Sequence, residues 1–79
     1  MYYLSTKSEG PIVRGRGEKR ALLHYPSYTQ AGRECKEYSI KHACICEVFH
    51  GDKMNGVNIE KDKKVIAYKK GELIYFNVR

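Results

Sequence analysis

A single helical repeat, begun at Ser27, is the feature that most limits what this 79-residue chain can build. Ser27 is placed to accept a backbone N–H at the helix start, and Gln30 to reach back to the cap, the reciprocal pairing of a capping box. At roughly 100° per residue, Tyr28, Ala31, Cys35, Tyr38 and His42 fall in one stripe, with Gln30, Glu34, Glu37 and Lys41 opposite. Arg33 and Lys36 flank the stripe where the helix meets solvent. Ile40 sits off it, so the helix is expected to end near Ser39 to His42.

The remaining segments have strand character. Tyr2 to Thr6 is rich in strand formers, and Lys19 to Tyr25 regains apolar character before Pro26, whose predecessor is biased to extended geometry. The second strand would make a hairpin around Arg14 to Glu18, which follows the short apolar pair Ile12-Val13. After the helix, strands are expected at Ala43 to His50, Val57 to Glu60, Lys64 to Lys69 and Glu72 to Val78. Turn signals stand at Asn55-Gly56 and Lys70-Gly71. Such short connections favour a meander of antiparallel neighbours. Either Ile74, Phe76 and Val78 or Leu73 and Tyr75 would face the helix, and alternation does not choose between them.

One helix on one sheet is also what the length permits. A chain this short buries only about 60–65% of the surface exposed when unfolded, and two elements with one apolar face each can cover one another. The expected fold is therefore α+β: one domain over residues 1–79, with a sheet of about five antiparallel strands and one α-helix packed on one face.

Fifteen Lys and Arg against nine Asp and Glu give a net charge of +6 and a pI near 9.3. That surplus points to an acidic partner: nucleic acid, a nucleoprotein or an acidic protein face. It is spread along the chain without a polybasic tail. No export signal opens the sequence and no run approaches the roughly 18 apolar residues of a membrane span, so no membrane partner and a cytoplasmic location are expected. Three cysteines, an odd count, fit reduced thiols in that compartment.

Cys35, His42, Cys44, Cys46 and His50 crowd together, yet zinc needs ligands converging at about 2.0–2.3 Å. On a strand Cys44 and Cys46 would share a face roughly 7 Å apart. These residues read as small core side chains, with no metal and no cofactor. Nucleophilic catalysis would pair a thiol with His24, His42 or His50, but a reactive thiolate wants a partly exposed, electropositive setting, and Cys35 falls on the apolar stripe. No acid and base are set apart by their spacing, so a non-enzyme is expected. Seven tyrosines and two phenylalanines among lysines would suit nucleic-acid stacking, while also being ordinary sheet residues. Arg14-Gly15-Arg16-Gly17 supplies one arginine-glycine element.

The helix start is similar to that of small phage-encoded anti-CRISPR proteins that inhibit type I-F systems. The matching residues are Ser27, Thr29, Gln30, Ala31 and Arg33, followed by Lys36 and Glu37. Phe49-His50-Gly51, Asn55-Gly56 and Ala67-Tyr68-Lys69 before Gly71 recur in the same order with different gaps, within Ser27 to Tyr75. Gly32 stands where the family pattern carries a lysine. The resemblance implies a five-stranded antiparallel sheet with a helix across it. It further implies a basic helix face that docks on the backbone subunits of a crRNA-guided surveillance complex, blocking target DNA hybridisation.

By position, Arg33 and Lys36 would be the main contacts; the Arg14 to Arg20 region has no counterpart in the family, and Arg14, Arg16 and Lys69, with Tyr28, complete the expected partner-binding set. A basic protein cannot imitate DNA and would compete sterically, with Arg forks on acidic patches or guide phosphates. Tight binding would need an aromatic anchor, Tyr28 or Tyr3. The alternative reading is a small nucleic-acid-binding module of phage or bacterial origin, with weak binding of free nucleic acid. A metal-dependent or nuclease-like enzyme is a third.

Overall fold

The structure, a computed structural model, describes residues 1–14, 21–51 and 61–78. Its elements in chain order are β1 (Tyr2–Thr6), β2 (Gly10–Pro11), β3 (Val13–Arg14), β4 (Ala21–Leu22), β5 (His24–Tyr25), α1 (Tyr28–Lys41), β6 (Ile45–His50), β7 (Lys63–Lys69) and β8 (Glu72–Phe76). The main sheet runs β2-β1-β6-β7-β8, and β5 also pairs with β1, giving six antiparallel strands. With α1 across one face, this is the expected α+β arrangement. The expected strand over Val57 to Glu60, the Asn55-Gly56 turn and the Arg14 to Glu18 hairpin tip lie largely or wholly outside the described residues.

β3 and β4 form a separate ribbon in which Val13 faces Leu22 and Arg14 faces Ala21, where the first hairpin was expected. The strand expected across residues 19 to 25 is instead divided at Leu23. Its N–H donates to the Ile12 carbonyl at 3.2 Å, and the Ile12 N–H to the Leu4 carbonyl at 2.9 Å, so the ribbon is stitched to β1 while His24 and Tyr25 join the main sheet.

Ser27 has extended geometry (φ −133°, ψ 153°) and its Oγ accepts the Gln30 N–H at 3.3 Å. The return bond of the capping box is absent among the described residues. At the other end the Ala43 N–H donates to the Ile40 carbonyl and the Cys44 N–H to the Ser39 carbonyl, the paired bonds of a Schellman stop. Ala43, where glycine is usual, has φ 49°.

The core between helix and sheet holds Leu4, Tyr25, Ala31, Cys35, Cys46, Val48, Val65 and Ile66. The buried helix face is Ala31, Gly32, Cys35 and Ser39, a stripe rotated from the expected one. Tyr28 and His42 are exposed and Tyr38 is half-buried, while the backbone at Gly32 packs close to Ile66. Hydropathy alone ranks Gly32 and Ser39 too low to find this face.

The strand expected at Lys64 to Lys69 is interior to the sheet: β7 pairs with β6 and β8 and buries Val65, Ile66 and Ala67. The edge is β8. Its pairing places Phe76 opposite Ile66, on the helix side, and Tyr75 opposite Ala67, on the far side. A register shift at Ala67/Tyr68 leaves Ile74 as the extra residue of a bulge.

Candidate functional site

Among the described residues a groove lies on each flank of α1. The first, about 300 Å³, lies between α1 and the β7–β8 edge and is lined by Tyr28, Thr29, Gly32, Arg33, Ile66, Tyr68 and Phe76. Gly32 makes it possible. A Cβ at that position would stand 3.2 Å from Ile66 Cδ1, so the bare backbone lets the helix lie low and forms the groove floor.

The aromatic walls are continuous with a row across the molecule. Tyr2 stacks on His50 with centroids 4.6 Å apart, Tyr28 meets Tyr2 edge-on at 6.3 Å, and Phe76 meets Tyr28 edge-on at 6.4 Å. Tyr28 is 40% exposed and Phe76 59%, so these rings present faces outward as well as to one another. Arg33 stands exposed beside them. Lys64 pairs with Glu47 at 3.4 Å, and Arg33 takes no part in an ion pair among the described residues.

Helical geometry sorts the charges. Arg33 and Lys36 project on the β8 flank, whereas Glu34 and Glu37 line the second groove, about 360 Å³, beside Leu4, Ile12 and Leu23. Lys41 and His42 line that groove as well, so the helix shows a cationic flank and one of mixed charge, which summed charge conceals.

The structure brings together Tyr28 and Arg33, with the exposed Lys36 one turn along the same flank. Lys69 is exposed but separate. Alternation along β7 puts it with Ala67 on the face away from the helix. Arg14 contributes backbone to β3, and its side chain and Arg16 lie outside the described residues. Tyr3 is corrected outright as an anchor: it is fully buried, its ring stacked on Phe49 at 5.7 Å and its hydroxyl donating to Asp62 Oδ2 at 2.6 Å. Burial, reinforced by that carboxylate, pushes the Tyr3 phenol well above its ordinary range.

Comparison with protein-family models, curated protein sequences and solved structures finds no match to this chain. Its chemistry is therefore argued from its own side chains.

Cys35 and Cys46 are fully buried, and Cys35 Sγ donates to the Cys46 carbonyl at 3.1 Å. The contact with Cys46 and burial push the Cys35 thiol far above its ordinary range, which keeps it protonated. Burial raises Cys44 too. His42 packs against the Tyr38 ring at 4.2 Å, and His50 against Tyr2. Among the described residues no three His, Cys, Asp or Glu side chains are grouped to hold a metal ion. No described helix is long and apolar enough to cross a membrane.

Sequence reasoning missed Ile66, Tyr68 and Phe76 as groove residues. Phe76 was weighed only as a core candidate, since its exposure depends on β8 lying at the edge, a fact of strand order that no local signal carries.

Proposed function

We propose that this protein is an inhibitor of a type I crRNA-guided surveillance complex, docking through the α1–β8 groove onto the backbone subunits and sterically blocking target DNA. The observation that carries this reading is Arg33: an exposed guanidinium, without an ion pair among the described residues, beside the rings of Tyr28, Tyr68 and Phe76. Aromatic residues and arginine are the side chains that dominate binding energy at protein interfaces. An unpaired arginine offers a planar fork for a carboxylate or phosphate. The choice of a CRISPR complex as partner rests on the resemblance at Ser27 to Glu37. Cytoplasmic action in a host cell follows from the same reading.

The test is copurification with a type I surveillance complex, followed by target-DNA binding. A stoichiometric complex that excludes DNA is expected, weakened about a hundredfold by Arg33→Glu. Undiminished binding by that variant would remove this surface from the reading, and failure of the native protein to bind would remove the inhibitor.

The same groove supports a second reading, a small nucleic-acid-binding module, because exposed rings beside a cation are what single strands stack upon. It predicts affinity for free oligonucleotide falling steeply with salt. No binding at about 50 mM salt would dismiss it.

A further inference from the structure

Among the described residues β8 ends the sheet with an open side, and what it shows there is unusual for an edge. Its residues are Glu72-Leu73-Ile74-Tyr75-Phe76, with Leu73 48%, Ile74 49% and Phe76 59% exposed. Natural edges are ordinarily defended by lysine, proline or a covering loop. The bulge at Ile74 is one such defence, yet no lysine stands within the strand.

The unpaired backbone groups can be located. The Asn77 N–H donates inward to the Val65 carbonyl at 2.8 Å, so alternation turns the neighbouring Phe76 N–H outward. Glu72 pairs with Lys69 across the two-residue Lys70-Gly71 turn, a hydrogen-bonded position, which turns the Leu73 N–H outward as well. The cations around this edge are Arg33 and Lys36 on the helix flank and Lys69 and Lys70 at the strand's start; Lys64, whose Nζ lies 4.7 Å from the Tyr75 ring centroid, is already paired with Glu47. Glu72 is the acid within the strand.

We propose that the β8 edge takes an extended, acidic segment of a partner protein as an added strand, with a carboxylate on Arg33 and an apolar side chain against the exposed faces of Tyr28 and Phe76. This rests on the reading of the partner as a protein, and says how that partner is held. Main-chain bonds to Leu73 and Phe76 would supply register, and alternate side chains would reach the groove.

A second copy is the poorer occupant. Antiparallel pairing of two β8 edges about a two-fold axis perpendicular to the sheet puts both helices on one face. It also turns both cationic flanks toward the seam, between molecules that each carry +6. A nucleic acid would satisfy Arg33 but leave the row of amides and the apolar Leu73 and Ile74 unmatched.

The experiment measures amide exchange at Leu73 and Phe76 in the full chain, with capped eight-residue peptides as probes. A peptide alternating glutamate and valine is expected to slow both amides by about tenfold or more. A lysine–valine peptide, and a glutamate–valine peptide N-methylated at alternate residues, should leave them unchanged. Exchange unaffected by the acidic peptide overturns the proposal, as does equal protection by the basic one. Protection by an oligonucleotide alone, or by self-association without peptide, overturns it too. A protein that holds the surveillance complex while both amides exchange as in the free chain loses this proposal and keeps the inhibitor; peptide protection without complex binding does the reverse.

Discussion

Gly32 and Arg33 are adjacent and have opposite duties. Gly32 costs the helix about 1 kcal/mol relative to alanine, offset by the close approach of backbone to Ile66. Gly32→Lys should therefore destabilise by about 1–3 kcal/mol as the longer side chain wedges the helix from the sheet. A lowered urea midpoint would register it, and an unchanged midpoint would show that the floor yields. Two tyrosines carry a pH signature. Tyr38 is pushed up to about 12, first by burial and then by its hydroxyl's 3.1 Å bond to Glu9, and Tyr3 is pushed up by burial and Asp62. Because the fold favours the neutral phenol, this stability is whole below the ordinary value near 10 and is lost as pH rises through about 12. Absorbance at 295 nm should show late ionisation coincident with unfolding, and Tyr38→Phe should shrink the late step. Arg33 was legible in the sequence as an outward cation, whereas the buried role of Gly32 was not, since a residue without a side chain leaves no hydropathy signal.

The helix is held at both ends by bonds of different legibility. Ser27 announced its cap in the sequence. Ser39 did not announce that its Oγ would donate to the Lys36 carbonyl at 2.7 Å and accept the Gly71 N–H at 2.9 Å, tying the last helical turns to the β7–β8 hairpin. Ser39→Ala should cost about 1–3 kcal/mol, because the Gly71 amide loses its partner in a part-buried setting. A midpoint shift at constant m-value in denaturant would report it. Ala43 offers the opposite sign. Its φ of 49° crowds a Cβ that glycine lacks, so Ala43→Gly should raise stability by about 0.5–1 kcal/mol, read from the same curves. Lys70 (φ 49°) and Gly71 (φ 87°) are both left-handed, the geometry of the tight hairpin that the sequence signalled. Ile40, off the apolar stripe, uses its side chain there: a Cβ on Gly71 would lie 2.7 Å from Ile40 Cγ1.

At the scale of the whole molecule the decisive pairing is β1 with β6, from Tyr2 opposite His50 to Thr6 opposite Cys46. It joins the start of the chain to a strand beyond the helix and lets the meander β6-β7-β8 grow outward, which leaves β8 at the rim. Closing so long a loop before its contacts form should make folding slow for a small domain, in the millisecond to second range. Stopped-flow refolding checks this, and microsecond folding would contradict it. The same order sets the electrostatics: β8 beside the cationic flank of α1, the ribbon of β3 and β4 with β5 beside the flank of mixed charge that carries Glu34, Glu37 and Lys41.

Local chemistry in the chain was enough to place the helix, its start, the final hairpin and the α+β class, because caps, tight turns and periodicity act between residues a few positions apart. Which helix face is buried, which strand forms the edge, and which rings come to stand beside Arg33 were decided by tertiary structure. Each depends on pairing between distant strands, and the free energy of that pairing is set by the whole packed core rather than by any one segment.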